Sequence, residues 1–278
     1  MQIIDYKHIH GTELRPGYVA IPELHRYKSS VQQFIKLADL DIVLTKKTAF
    51  LYVDGFSVSQ AESGICKPVN PAYQLALKTG SSYIAHEWAG TFKNKELLEK
   101  VDIISSTCAA GVQAIYEASE LIYSTDIEEV IIIGGERTTD DTIRLFRELR
   151  IDVNCGDGFF YMRLAAGEQI SNINWKYVHN QNPFYFAKAD IDKLKPVTPV
   201  DYVKLHGTGT ASNTEAESGI AELGKQIMYK HQIGHTQGIS ALLETCMVLS
   251  DDSIQGKIMV AANGLGGFYG SFILDKQS

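Results

Sequence analysis

The chain of 278 residues reads as a layered α/β protein with mixed sheets. Three observations predict this class. Short segments rich in β-branched and aromatic residues alternate with longer amphipathic ones. Several of the short segments are continuous apolar runs, the pattern of strands covered on both faces. No low-complexity stretch and no Pro-, Gly- and Ser-rich run divides the sequence. We therefore read one domain over residues 1–278 with two halves, about 1–168 and 169–278, each carrying several strands and at least two helices.

In chain order, the first half has strand signals at 49–53 (Ala-Phe-Leu-Tyr-Val), 101–105, 130–133 (Val-Ile-Ile-Ile) and 159–164. The second has them at 174–179, 202–205, 257–261 and 271–274. Helices are expected at 29–38, within 71–87, and at 109–123, 141–150, 215–229 and 237–249. With 45% apolar and 21% charged residues the chain has material for a sizeable core, which excludes a disordered chain and a small disulfide scaffold. Its 26 Lys and Arg against 33 Asp and Glu give a net charge of −7, so no global basic field would hold nucleic acid. The start, Met1 to His8, is too polar for a signal-peptide core, and no apolar run approaches the ~18–20 residues of a membrane span. A cytoplasmic location is expected. The cysteines Cys66, Cys108, Cys155 and Cys246 form no C-x-x-C pair, and His8-x-His10 has no third ligand, so no metal site is expected.

Chemistry is most legible at three junctions. In Val101-Asp-Ile-Ile-Ser-Ser-Thr-Cys108-Ala-Ala-Gly111 an apolar strand turns into an amphipathic helix at Cys108, where unpaired amides and the helix dipole favour a thiolate. Small neighbours leave the sulfur open to close approach. In Tyr202-Val-Lys-Leu-His206-Gly-Thr208-Gly-Thr210 a strand enters a glycine-rich loop, and His235 in Ile233-Gly-His-Thr236 sits just before a helix. Such positions gather at one edge of an α/β sheet, where a thiol nucleophile could meet two imidazoles. The segment Asn263-Gly-Leu-Gly-Gly267-Phe268 lacks the G-x-G-x-x-G spacing of a dinucleotide site; it is either a tight hairpin or a source of backbone N–H groups for a reacting carbonyl.

Together these pieces resemble the β-ketoacyl synthases of the thiolase superfamily. The match runs from about residue 100 to 275, in family order. It comprises Thr107-Cys108-Ala-Ala-Gly, Ile133-Gly-Gly-Glu136, Gly156-Asp-Gly158, His206-Gly-Thr-Gly-Thr210, Lys230 with Gly-His235-Thr, Glu244, and Asn263-Gly-Leu-Gly-Gly. The resemblance implies a thiolase fold, two similar halves in an α/β/α/β/α arrangement, paired through an edge strand. It implies an acyltransferase in fatty acid or polyketide biosynthesis, in which Cys108 takes an acyl group. His206 and His235 would then promote decarboxylative condensation with a malonyl thioester. Lys230, Glu244 and Glu217 would support them. Backbone N–H groups of Cys108, Gly267 and Phe268 would form the oxyanion hole, and Thr208 and Thr210 would contact pantetheine. Substrates would arrive on the phosphopantetheine of an acyl carrier protein or coenzyme A, with no other cofactor bound. No second cysteine follows residue 250, unlike in degradative thiolases, and His235 stands where chain-initiating synthases have asparagine. The elongating, Cys-His-His type is therefore the one implied.

The sequence also departs from that pattern. Only 98 residues separate Cys108 from His206 (206 − 108), and the cap over the acyl pocket is expected to be reduced. Thr214 replaces the usual aspartate after Asn213 in place of glycine, which bears on the network around Lys230. A non-catalytic partner subunit of a synthase heterodimer, like a chain-length factor, and an acyltransferase that does not condense are the alternatives. Arg144, Arg147 and Arg150 recur every third residue as a solvated stripe or a docking face for an acidic carrier protein.

Overall fold

The computed structural model describes residues 1–23, 30–54, 82, 84–148, 150, 153–179 and 186–277. Cys66 and most of the helix expected within 71–87 lie outside them. The described strands are β1 (Gln2–His10), β2 (Glu13–Arg15), β3 (Tyr18–Ala20), β4 (Thr48–Asp54), β5 (Leu98–Ile104), β6 (Glu129–Glu136), β7 (Cys155–Gly156), β8 (Gly158–Ala165), β9 (Ile170–Tyr177), β10 (Tyr202–Lys204), β11 (Lys225–Ile227), β12 (Gly256–Gly264) and β13 (Phe268–Lys276).

They form two five-stranded sheets and a small three-stranded one, β2-β3-β7. The large sheets run β1-β8-β6-β4-β5 and β9-β13-β12-β10-β11. Counted by chain order among the five strands of each large sheet, both read first, fifth, fourth, second, third. Directions match as well. β4 is parallel to β5 and β6, as β10 is to β11 and β12, while β8 and β13 return antiparallel beside β6 and β12. The halves are therefore two copies of one topology.

Alternation along the strands assigns each sheet face to a layer. Leu51, Val53, Ile132 and Met162 of the first sheet and Ile258, Val260 and Phe272 of the second enclose the helices Ala110–Ser124 and Ser240–Ser250 between them. Their neighbours Phe50, Tyr52, Ile131 and Ile133 face outward, onto helix Ser30–Ala38 and the helix at 84–91. Met259, Ala261 and Ile273 pack on helices Lys188–Asp192 and Ala211–Ala221. The result is the α/β/α/β/α stack. Phe159 stacks on Phe34 at 4.6 Å and on Trp88 at 5.6 Å. A Cβ at Gly135 would lie 2.5 Å from Phe34 and one at Gly134 2.6 Å from Phe160, so the Gly-Gly pair lets rings close on both faces of β6.

All eight expected strands lie wholly or largely within observed ones. The helix expected at 215–229 is instead helix Ala211–Ala221 followed by β11. Pairing of Lys225–Ile227 along the edge of β10 outweighs helical propensity there. β1 carried no strand signal, being an edge strand whose residues are half-buried or exposed. Helix Asp140–Glu148 ends before Arg150, which adopts a left-handed φ of 52°; the arginine stripe is thus two helical residues and one beyond the helix end. No helix of the described residues is long and apolar enough to cross a membrane.

Candidate active site

Each half builds its turn in the same way. After β5, Thr107 takes a left-handed φ of 51°, a single 3-10 turn (Thr107–Ala109) holds Cys108, and central helix Ala110–Ser124 begins. In the second half Gln237 takes a φ of 46° and opens the 3-10 turn Gln237–Ile239 ahead of central helix Ser240–Ser250. His235 lies two residues before that left-handed position. His206 lies one residue beyond the end of β10, after Leu205, and Gly207 and Gly209 take φ of 63° and 77° in the loop that follows.

These turns bring together the three side chains that the sequence singled out. A ligand atom each from Cys108, His206 and His235 lie within 4.8 Å of one another. The imidazoles meet edge-on, with centroids 5.1 Å apart, and Phe146 covers His235 at 5.5 Å. The Nδ1 of His235 accepts the Gln237 backbone N–H at 3.2 Å and lies 2.9 Å from Ser240 Oγ. A backbone donor cannot switch roles, so in neutral His235 the proton sits on Nε2 and that nitrogen donates. The Nδ1 of His206 is buried without a partner among the described residues, so no hydrogen bond of this kind from them fixes its tautomer. One sulfur and two imidazoles are a donor set zinc accepts in other proteins. Here a protonated Nε2 and two nearby ammonium groups oppose a cation.

A buried cluster of charges stands behind the histidines. Lys230 Nζ meets Glu244 Oε1 at 2.7 Å, and Lys204 Nζ meets the other oxygen of that carboxylate at 3.1 Å. Glu217 accepts the backbone N–H groups of His206 at 2.6 Å and Gly207 at 3.0 Å, and the Asn213 amide. Asn263 in turn donates to Asn213 at 2.8 Å. Burial drives both imidazoles well below their usual range, and Lys230 and Lys204 add to the effect, so both are neutral at pH 7. Burial also pushes the Cys108 thiol up to about 11; Lys230 pulls it down and Glu136 pushes it further up. Desolvation thus opposes the thiolate that the helix terminus favours.

The other expected site residues are distributed around this centre. Lys230 and Glu244 pair as expected. Glu217 contacts the backbone at His206 rather than bonding Lys230, since three N–H donors occupy its carboxylate. Thr210 caps helix Ala211–Ala221 by accepting from Asn213 N, and its hydroxyl lies 3.3 Å from that of Thr208. At the glycine hairpin, Thr107 donates to Leu265 O at 3.2 Å, and Gly264 lies against Ser106 and Ala109. Gly267 O accepts from Val178 N, and the Phe268 ring stacks on Trp175 at 5.9 Å. Residues 264 and 265 are thus the part of the hairpin touching the cysteine turn. Sequence reasoning missed Lys204 and Ser240, and gave Asn263 no role of its own. For Lys204 a signal existed, since strand alternation puts it on the same side of β10 as His206.

The fold is that of a thiolase-fold protein. No family model and no curated protein matches the sequence. Solved structures do. A β-ketoacyl synthase from Burkholderia phymatum STM815 superposes with a TM-score of 0.64 at 18% identity, over 84% of this chain and 76% of that one. A ketosynthase from module 1 of the bacillaene synthase of Bacillus amyloliquefaciens FZB42 gives 0.63 at 11% identity, over 84% and 57%. The ishigamide ketosynthase/chain length factor gives 0.62 at 13% identity, over 96% and 87%. At such identities the likeness establishes the fold. This chain spans little more than half of the bacillaene ketosynthase structure.

Proposed function

We propose that the protein is a β-ketoacyl synthase-type acyltransferase acting by decarboxylative condensation. The observation that carries this reading is one thiol and two neutral imidazoles with ligand atoms within 4.8 Å of one another at the ends of two pseudo-equivalent turns. In the first step the Cys108 sulfur attacks an acyl thioester, the thiol proton passes to His206, and the carrier thiol leaves with that proton. The carbonyl oxygen of a malonyl thioester is then held by His235 Nε2–H and by His206. Its carboxylate departs as carbon dioxide and the bonding electrons form an enolate held by the same two donors. The enolate carbon attacks the acyl-cysteine carbonyl, the Cys108 N–H and the 264–268 hairpin hold the oxyanion, and collapse expels the thiolate. The neutral state of both rings supports this assignment, because a neutral His206 can accept the thiol proton while the neutral His235 still has its Nε2–H to donate.

Thr208 and Thr210 are proposed to contact pantetheine, and Lys230, Glu244 and Glu217 to support the histidines. Gly267 and Phe268 are the family-matched donors within the hairpin. The carrier is proposed to be an acyl carrier protein docking on the exposed Arg144, Arg147 and Arg150, beside the helix whose inner face places Phe146 on His235. Unchanged turnover of carrier-bound substrate after replacing all three by glutamate would remove that docking face. The chain is proposed to act in the cytoplasm and to pair with itself or with another ketosynthase-like subunit.

Intact-mass measurement after incubation with acyl thioesters tests the whole reading. An adduct abolished by Cys108→Ala, together with carbon dioxide released from a malonyl thioester, is the expected result. An adduct without carbon dioxide makes the protein an acyltransferase that does not condense. No adduct with any donor assigns it the role of a non-catalytic partner, a reading that the similarity to a ketosynthase/chain length factor keeps in view.

A further inference from the structure

Lys204 is the charged group at the site to which neither the sequence motifs nor the proposed reaction gives a role. It has no exposed surface and stands on β10 two residues before His206. Its Nζ forms an ion pair with Glu244 Oε2, while Lys230 bonds Oε1 of the same carboxylate. One carboxylate therefore joins two ammonium groups. The second buried carboxylate, Glu217, is occupied by backbone N–H groups at His206 and Gly207 and by Asn213. Two cations and two anions balance, and the arrangement is closed.

We propose that Lys204 is a positioning residue of this site: it grips Glu244 from the β10 side, so that Lys230 is held on the Cys108 side, and its ammonium completes the buried balance of charge behind His206 and His235. The inference deepens the proposed condensation, because a protonated imidazole at His206 could not take the thiol proton. The ionisable groups facing Lys204 are Glu244 from helix Ser240–Ser250, Lys230 from helix Lys230–Ile233, Glu217 from helix Ala211–Ala221, and the two histidines. Tyr229, on the far side of Glu244, titrates only near about 12 and stays neutral.

Removing the Lys204 charge leaves the cluster with one net negative charge, which favours imidazolium. At an effective dielectric of about 20, Coulomb's law makes the loss of one nearby charge worth a shift on the order of one pH unit. Lys204→Met, and Lys204→Gln whose amide can still donate to Glu244, should each raise the midpoints of His206 and His235 by about that amount. The readout is histidine ring NMR as a function of pH. Lys204→Arg, which keeps a permanent charge, should restore them. In wild-type protein that condenses, the acid limb of carbon dioxide release should move to higher pH in the neutral variants by the same shift. The NMR titration needs no substrate, so failure of the condensation reading leaves this test standing. Midpoints equal to wild type in either neutral variant overturn the proposal. So does loss of folding in both neutral variants while Arg folds, which would assign Lys204 to the integrity of the sheet alone.

Discussion

The turn at Thr107 and the turn at Gln237 are the same backbone device used twice, and they differ in what they carry. Both place a non-glycine residue at a positive φ, run through one 3-10 turn and start a buried central helix. Position by position, Cys108 corresponds to Gly238 and His235 to Ser105. β5 leads into its turn through two residues, whereas β11 is followed by helix Lys230–Ile233 before His235. That inserted helix supplies the ammonium that the first half lacks. The repeated topology thus brings two equivalent turns together; one presents the Cys108 thiol, and the other presents an imidazole and the charge behind it.

If the division holds, the two turns respond differently to pH and to mutation. The largest effect belongs to Cys108. With its thiol titrating near about 11, alkylation by iodoacetamide should climb about tenfold per pH unit from pH 7 to 10, roughly a thousandfold in all, as the thiolate fraction grows. A plateau already reached by pH 8 would show that Lys230 dominates the sulfur and that the resting turn is charged. On the other side, His235→Asn should cut carbon dioxide release from a malonyl thioester by ~10²–10³, the usual effect of losing one positioned donor, while acylation of Cys108 is little changed. Equal loss in both steps would mean that the turns share one task.

How much of this was legible in the sequence follows from where the physics is local. Val130–Ile133 and Ala49–Val53 announce buried strands because both faces are covered. Cys108, His206 and His235 announce themselves because each ends an element beside glycine or small residues. β1 and β11 did not, since edge pairing is decided by a partner far along the chain. Lys204 was passed over because a lysine in a strand normally points to solvent, and only the enclosing Glu244, forty residues on, reverses that. The opposing pull on the Cys108 thiol was hidden for a related reason: the helix terminus that favours a thiolate is visible in sequence, whereas the desolvation that pushes the thiol up depends on how the chain packs.

A smaller effect compares what presses on each turn. Gly264 touches the first one, where a Cβ would lie 2.7 Å from the Ser106 carbonyl oxygen, a backbone atom that cannot move aside. Gly134 touches the second, where a Cβ would meet side-chain atoms of Phe160 and Ile239 at 2.6 and 2.7 Å, and those can rotate. Gly264→Ala should therefore destabilise by about 3 kcal/mol and Gly134→Ala by about 1, the ends of the usual range for overpacking. Equal losses in a denaturant titration would mean that both turns are confined alike.

The smallest effect concerns backbone strain. Thr107 is β-branched and occupies the left-handed region, where such residues are outliers, while Gln237 is unbranched and its amide holds Glu136 at 3.2 Å. Thr107→Gly exchanges that strain and one exposed hydrogen bond to Leu265 for a freer chain, and a net gain of roughly 0.5 kcal/mol is expected. Gln237→Gly relieves less and loses the Glu136 contact, so its melting temperature should fall. Should both variants lose stability equally, the nucleophile's turn stores no more strain than its twin, and the pairing of strain with reactivity at Cys108 has no basis.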